Sequence, residues 1–351
     1  MKTLRNAADL VAAGLAAPSQ AAAIERVAAR YAVAVTPAMA ALMAPGDADD
    51  PIARQFLPTL AELDRLPGEL ADPIGDRVHS PVEGIVHRYP DRVLLKLLHV
   101  CPVYCRFCFR REMVGPGAEA VLSPAKIEAA LAYIASREEI WEVILTGGDP
   151  LMLPPKRLGE VMRRLAALEH VKIIRLHSRV PAVDPARVTA SLVAALRVEA
   201  AATFVALHAN HAKELTAEAR AACGRLIDAG VPMLGQTVLL KGVNNDVATL
   251  AALMRAFVET RIKPYYLHHP DLAPGTAHFR VGIAEGQALM RALQGSISGL
   301  CQPTYVLDIP GGHGKAPLGP GYVDVAAAGA TVTDFRGRKH CANAQFDPAG
   351  P

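Results

Sequence analysis

From residue 93 onward, short apolar runs rich in β-branched residues alternate with longer stretches of helical period. The runs VLLKLLHV (93–100), EVILTG (142–147), VKIIRLHSR (171–179), TFVALHA (203–209), PMLGQTVLL (232–240) and IKPYYLHH (262–269) predict strands. The stretches between them, at 123–138, 155–168, 184–198, 216–230 and 246–260, predict helices. Several open on a Ser, Thr or Asp able to cap the free N–H groups of a first turn. Right-handed crossovers between such units give a parallel α/β array. The expected fold is a partial (β/α)6 TIM-like barrel. Upstream, residues 1 to about 80 are Ala-rich with helical period, broken at PGDADDP (45–51) and PGELADP (67–73); they predict an N-terminal helical cap. Downstream come a helix near 283–297, the strand TYVLDIP (304–310), the loop GGHGKAP (311–317) and a hairpin over 321–337, forming a C-terminal β-containing layer. The expected division is 1–85, 86–282 and 283–351.

Composition narrows the function. Half of the 351 residues are apolar, enough for a large core. The net charge of +3 comes without a dense Lys/Arg stripe, which speaks against nucleic acid as a partner. No run reaches the roughly 20 apolar residues that span a bilayer, and Asp9 interrupts the apolar N-terminal stretch. A cytoplasmic protein is expected, with no membrane partner. Six cysteines in so long a chain do not make a disulfide scaffold; clustered thiols suggest a reducing compartment and a metal site.

In barrels of this kind chemistry sits at the C-terminal ends of the strands. CPVYCRFCFRR (101–111) follows the first run, TGGDP (146–150) ends the second, His208 ends the fourth, and His268, His269 and Asp271 end the sixth. Cys101, Cys105 and Cys108 admit three readings. They are unconnected core thiols, or a zinc site completed by His99, or a three-thiolate iron–sulfur site with one iron left open.

The C-x3-C-x2-C spacing, with Phe107 before the last cysteine, resembles the signature of the radical S-adenosylmethionine (SAM) superfamily. That resemblance implies a [4Fe–4S] cluster whose open iron binds SAM and delivers the electron that releases a 5′-deoxyadenosyl radical. It also implies SAM contacts at Gly147, Gly148 and Asp149, and at His208 in LHANH. The longer segment HRYPDRVLLKLLHVCPVYCRFCFRR (87–111), with QTVLLKGVNND (236–246), PDLAPGTAHFR (270–280) and DIPGGHGKAP (308–317), is similar to lysine 2,3-aminomutase and its relatives over about residues 35–325.

This second resemblance implies pyridoxal 5′-phosphate (PLP) as a further cofactor, attached through Lys315. It implies phosphate contacts from Arg88 and Arg92, with Tyr89 between them and Gln236 and His268 close to the cofactor. A guanidinium fork suits phosphate better than an ammonium does. Arg110 matches a residue for the substrate α-carboxylate, and Asp271 and Asp308 match two acids for a distal ammonium. The implied reaction is an isomerisation of L-lysine to β-lysine, with an electron donor such as flavodoxin or ferredoxin. The same chemistry could serve elongation factor P, or a related amino acid; a non-catalytic iron–sulfur or zinc module is the reading from a different class. His268 stands where longer aminomutases have tyrosine, and IRLHSRVP (174–181) and YYLHH (265–269) resemble the shorter, elongation factor P-associated relatives, whereas Asp308 resembles the longer ones. Only Cys341 lies where clostridial aminomutases have a zinc-binding cysteine cluster, so no structural zinc is expected. A homo-oligomer is possible on this pattern. Arg111 has no role assigned by the resemblance, and Cys223 and Cys301 are expected to pack in the core.

Overall fold

The computed structural model describes residues 2–114, 121–326, 329–334 and 336–342. A nine-stranded sheet runs in chain order from β1 (Ile85–Tyr89), β2 (Arg92–Leu98), β3 (Glu142–Gly147) and β4 (Ile173–Ser178) through β5 (Ala202–His208), β6 (Met233–Val238), β7 (Ile262–His268) and β8 (Thr304–Asp308) to β9 (Lys315–Pro317). Strands β2 to β8 are parallel neighbours, and β1 and β9 add antiparallel edges. The sheet curls into a half-barrel, as the alternating pattern predicts.

The N-terminal cap contains α1 (Ala7–Ala12), α2 (Ala21–Ala28), α3 (Pro37–Ala40) and α4 (Pro51–Phe56). The crossover helices are α5 (Pro124–Ala135), α6 (Pro155–Ala166), α7 (Val180–Val183), α8 (Ala190–Leu196), α9 (Ala217–Asp228) and α10 (Val247–Glu259), followed by α11 (Ile283–Gln294). Ser123, Thr189, Thr216 and Asp246 each cap a helix by accepting from a first-turn N–H. Among the described residues no helix is long and apolar enough to cross a membrane.

Alternation along the strands sorts the two faces. Val143, Leu145, Ile174, Leu176, Val205 and Leu207 point outward into the main core under the helices. Their neighbours Ile144, Thr146, Arg175, His177 and His208 point inward to a cavity. The parallel strands are therefore covered by helices on the outside and line the cavity on the inside.

HRYPDR forms the turn of the β1–β2 hairpin, where Tyr89 pairs with Arg92. Three expectations are corrected. The helix expected over 184–198 forms only as α8 (Ala190–Leu196), after a 3-10 turn at Pro185–Arg187 and with α7 lying just ahead of that segment. Thr189 takes extended backbone and accepts from Leu192 N as the cap of α8, so the helix begins only after it. The loop expected at 311–317 ends in strand β9, so Lys315 lies in register with Asp308. The expected hairpin is a three-stranded meander of β10 (Val323–Ala326), β11 (Gly329–Thr333) and β12 (Lys339–Ala342). Cys223 and Cys301 are buried; the side chain of Cys341 lies outside the described residues.

Candidate active site

The half-barrel encloses a cavity of about 580 Å³, and the cysteine loop forms one wall of it. Cys101, Cys105 and Cys108 are free thiols that all reach this wall. Burial pushes the Cys101 thiol well up, and burial with the neighbouring Cys105 pushes Cys108 to about 11. Ionised thiolates here therefore need a strong positive partner, which a metal cluster is. Among the described residues no three His, Cys, Asp or Glu side chains converge on one ion. A four-iron cluster takes each thiolate on a different iron, so it requires sulfurs that are spread rather than convergent.

Two arginines staple this loop to the N-terminal cap. Arg106 donates from Nε to both oxygens of Glu62 at 2.9 Å and from Nη1 to the Ala32 carbonyl at 2.6 Å. Arg111 donates to the same carboxylate, and to the carbonyls of Arg106 at 2.9 Å and Gly275 at 3.0 Å. Arg111 thus joins the cysteine loop to the cap and to the segment after β7. Its place behind the loop explains why no ligand role matched it.

The Gly147–Gly148–Asp149 turn packs directly on the backbone of that loop. Gly148 N donates to the Leu98 carbonyl at 2.6 Å and Asp149 N to the Val100 carbonyl at 2.9 Å. A Cβ on Gly148 would fall 2.4 Å from the Val100 oxygen. Gly148→Ala is therefore expected to push the Cys101 segment off its position at a cost of about 1–3 kcal/mol. Lower iron content after anaerobic reconstitution would show it; full wild-type loading would refute it. The Asp149 carboxylate is occupied within the protein. It accepts from Leu151 N, Ser178 Oγ, Arg179 N and Val180 N at 2.7–3.2 Å. The turn consequently presents backbone to the cavity, and the carboxylate ties β3 to the end of β4.

Phe107 lies 5.7 Å from the His208 ring and 6.1 Å from Phe279, ring centre to ring centre. His208 is held by Asn210 Oδ1 at 3.1 Å from Nε2. Burial, with Arg179 nearby, holds its pKa well below the usual histidine value, so the ring is neutral.

Lys315, Asp308, Asp271 and His268 also line the cavity. Lys315 Nζ donates to both oxygens of Asp308 at 2.5 Å, and Lys315 N donates to the Tyr89 hydroxyl at 2.8 Å. Burial would raise the Asp308 pKa, but His268 and Lys315 hold it well below the usual carboxylate range. Asp271 is pushed up to about 7 by burial and by the facing Asp308 charge. Burial keeps His268 below its usual value.

Arg88 points Nη2 at the Ile74 carbonyl at 2.5 Å and lies 4.0 Å from Asp308. Arg92 stacks over Tyr89 at 3.8 Å and pairs with Asp91 at 2.6 Å. Arg110 is paired with Asp76 at 3.0 Å, with Lys96 3.9 Å from the same oxygen. Asp76 and Lys96, which no motif in the sequence singles out, are both buried. Gln236 lies on the inner face of β6, as do Arg175 and His177 on β4. The motif IRLHSRVP contains those last two but gives them no role. Arg88 Nε and His177 Nε2 are buried polar atoms with no hydrogen-bond partner among the described residues. A polar cofactor between them would supply one, so the residues present fit such a group.

Residues 95–254 match the family model of the radical SAM superfamily. The chain is 40% identical to the L-lysine 2,3-aminomutase of Clostridium subterminale over 83% of this chain and 70% of that one. It is 39% identical to the L-lysine 2,3-aminomutase of Escherichia coli over 79% of this chain and 80% of that one. It is 36% identical to the glutamate 2,3-aminomutase of Clostridioides difficile over 86% of this chain and 70% of that one. A half-barrel with three thiols on its rim, a glycine turn packed on their loop, and this breadth of similarity agree: the chain is a radical SAM enzyme, an isomerase, and belongs to the lysine 2,3-aminomutase family.

Proposed function

We propose that the chain moves the α-amino group of L-lysine to C3, giving β-lysine, with a [4Fe–4S] cluster on Cys101, Cys105 and Cys108, with SAM, and with PLP attached at Lys315. When bound, the cluster and SAM supply a primary carbon radical and PLP supplies a π-system that stabilises radical character beside the migrating nitrogen. The observation that carries lysine as substrate is the pair Asp271 and Asp308. Two buried carboxylates, one of them pushed up to about 7 by burial and by the charge of the other, suit a substrate ammonium and repel a substrate carboxylate. A glutamate side chain would add a third negative charge there.

The remaining residues position and enclose. Arg88 and Arg92 offer guanidinium donors to the PLP phosphate, with Tyr89, Gln236 and His268 around the ring. Arg110, steadied from behind by Asp76, takes the α-carboxylate. Phe107, His208 and the 147–149 backbone wall the SAM side, where excluding water and stray hydrogen donors protects a reactive radical. Holding the substrate C–H beside the radical carbon is most of the protein's contribution to rate. The division at residues 85 and 282, a cytoplasmic setting and a small redox protein as electron donor belong to the same reading.

The Asp271 shift sets a pH dependence. Below about 7 this carboxyl is neutral and cannot pair with an ammonium, whereas lysine stays protonated until about 10.4. KM for lysine should therefore rise as pH falls below 7, approaching roughly tenfold per unit. Asp271→Asn should flatten that limb, raising KM above pH 7 towards the level the wild type reaches at low pH. A KM that stays level from about pH 5.5 to 8 would remove Asp271 from ammonium recognition. The deciding assay is anaerobic, with SAM, PLP, dithionite and a panel of L-lysine, L-glutamate and L-arginine. β-Lysine from lysine supports the proposal, and turnover of glutamate without lysine overturns it.

A further inference from the structure

Arg179, directly after β4, is buried, and amino acid recognition does not use it. Its Nη1 donates to Cys105 Sγ at 3.0 Å. Its Nη2 donates to Gln55 Oε1 at 3.2 Å and to Glu214 Oε2. The guanidinium lies 4.9 Å from the Phe56 ring centre and 5.6 Å from that of Phe107. Glu214 is itself fixed: its Oε1 accepts from Asn210 N at 2.8 Å, His211 N at 3.0 Å and Gln55 Nε2 at 3.2 Å. Gln55 Oε1 also accepts from Asn210 Nδ2 at 3.0 Å. The fork is thus held from α4 in the cap, from the end of β4 and from the end of β5.

A buried Arg–Glu pair returns little net stability once desolvation is counted. An arginine serving only that pair would place both arms of its fork on the carboxylate. Here the fork is split, with one arm on the carboxylate and the other on sulfur. The network therefore aims a charged N–H at one of the three candidate cluster ligands.

We propose that Arg179 is a positioning residue for the iron–sulfur cluster, fixing the Cys105 sulfur and making the cluster easier to reduce through a charged hydrogen bond to it. The proposal rests on the three cysteines holding that cluster. Reduction adds negative charge to the cluster, and a donor on a ligating sulfur stabilises the reduced form more than the oxidised one. Asp149 contributes indirectly: its carboxylate accepts the Arg179 backbone N–H at 2.7 Å and so links the SAM-side turn to the same arginine.

The test compares reconstituted wild type, Arg179→Gln and Arg179→Lys without SAM or substrate, by iron and sulfide content and by dithionite titration followed by electron paramagnetic resonance. At the potential that half-reduces the wild-type cluster, Arg179→Gln should hold about tenfold less reduced over oxidised cluster, the scale of one lost charged hydrogen bond. Arg179→Lys, which keeps the charge and a donor, should fall between the two. If Arg179→Gln loses its cluster altogether, the lysine variant decides. Loaded variants that titrate like wild type overturn the proposal, including the case in which only SAM affinity falls. A wild-type chain that takes up no cluster overturns the cluster reading as well, so the two failures are told apart.

Discussion

Replacing Lys315 with alanine is expected to abolish amino-group migration, lowering turnover by about 10²-fold or more, while iron and sulfide content stay at the wild-type level. Among the described residues the cavity wall holds no second lysine. Lys96, a buried lysine, lies against Asp76 and does not reach the wall. The position of Lys315 is built: β9 pairs antiparallel to β8 and sets it across from Asp308, and the Tyr89 hydroxyl accepts its N–H. A side chain that must hold a cofactor and later release it needs this fixed base and a tip that a neighbouring carboxylate can take back, as Asp308 does here. Lys315→Arg separates the two roles that the geometry allows. It keeps a cation for Asp308 but cannot carry PLP covalently. If covalent attachment is the role, both variants are inactive, and borohydride fixes PLP to the wild type alone. If Lys315 only neutralises Asp308, the arginine variant keeps substantial turnover, and the assignment of Lys315 as the attachment point fails.

Linear motifs are legible because they bring unusual residues together within one turn of chain. Three cysteines in eight positions, a Gly-Gly-Asp turn after a strand and a lysine among glycines stand out against an apolar background. The structure places the three cysteines, Gly148, Asp149 and Lys315 on one cavity. Less legible are residues whose partners are distant in sequence. Asp76 and Glu62 come from a stretch broken by proline and glycine, where an acid reads as solvated. Their partners Arg110 and Arg106 lie 34 and 44 residues away. Arg175 and His177 escape notice for another reason. In IIRLHS the outward Ile174 and Leu176 dominate the apolar signal, while the inward residues alternate with them. A strand read as a buried run hides which face is polar. Edge strand β1 is hidden because it carries His87, against Tyr133 of α5, and Arg88, on the cavity, where apolar residues would mark a strand, and β9 because three residues beside glycines give no periodicity.

Glu62→Gln should be strongly destabilising for a substitution that conserves size, costing about 3–5 kcal/mol and lowering Tm by about 5–10 °C. Glu62 is the single carboxylate contacted by the buried guanidinium groups of both Arg106 and Arg111. Glutamine keeps the size but removes the charge and turns an NH2 group toward one of them. The position has little freedom to adapt, because Glu62 Oε1 also accepts the Thr59 N–H at 2.9 Å and Gly275 packs against the Glu62 backbone. The exposed Arg164–Glu128 pair gives the contrast. It is bidentate, at 2.5 and 2.7 Å, yet solvent reaches both partners. Breaking it by Glu128→Gln should leave stability nearly unchanged. Burial, rather than hydrogen-bond count, therefore decides which ion pair matters to the fold. Because the Glu62 pair is carried by the cysteine loop itself, its loss should also lower iron content after reconstitution, whereas Glu128→Gln should leave iron unchanged. Equal melting temperatures for the two variants would show that the cap does not hold the cysteine loop through Glu62.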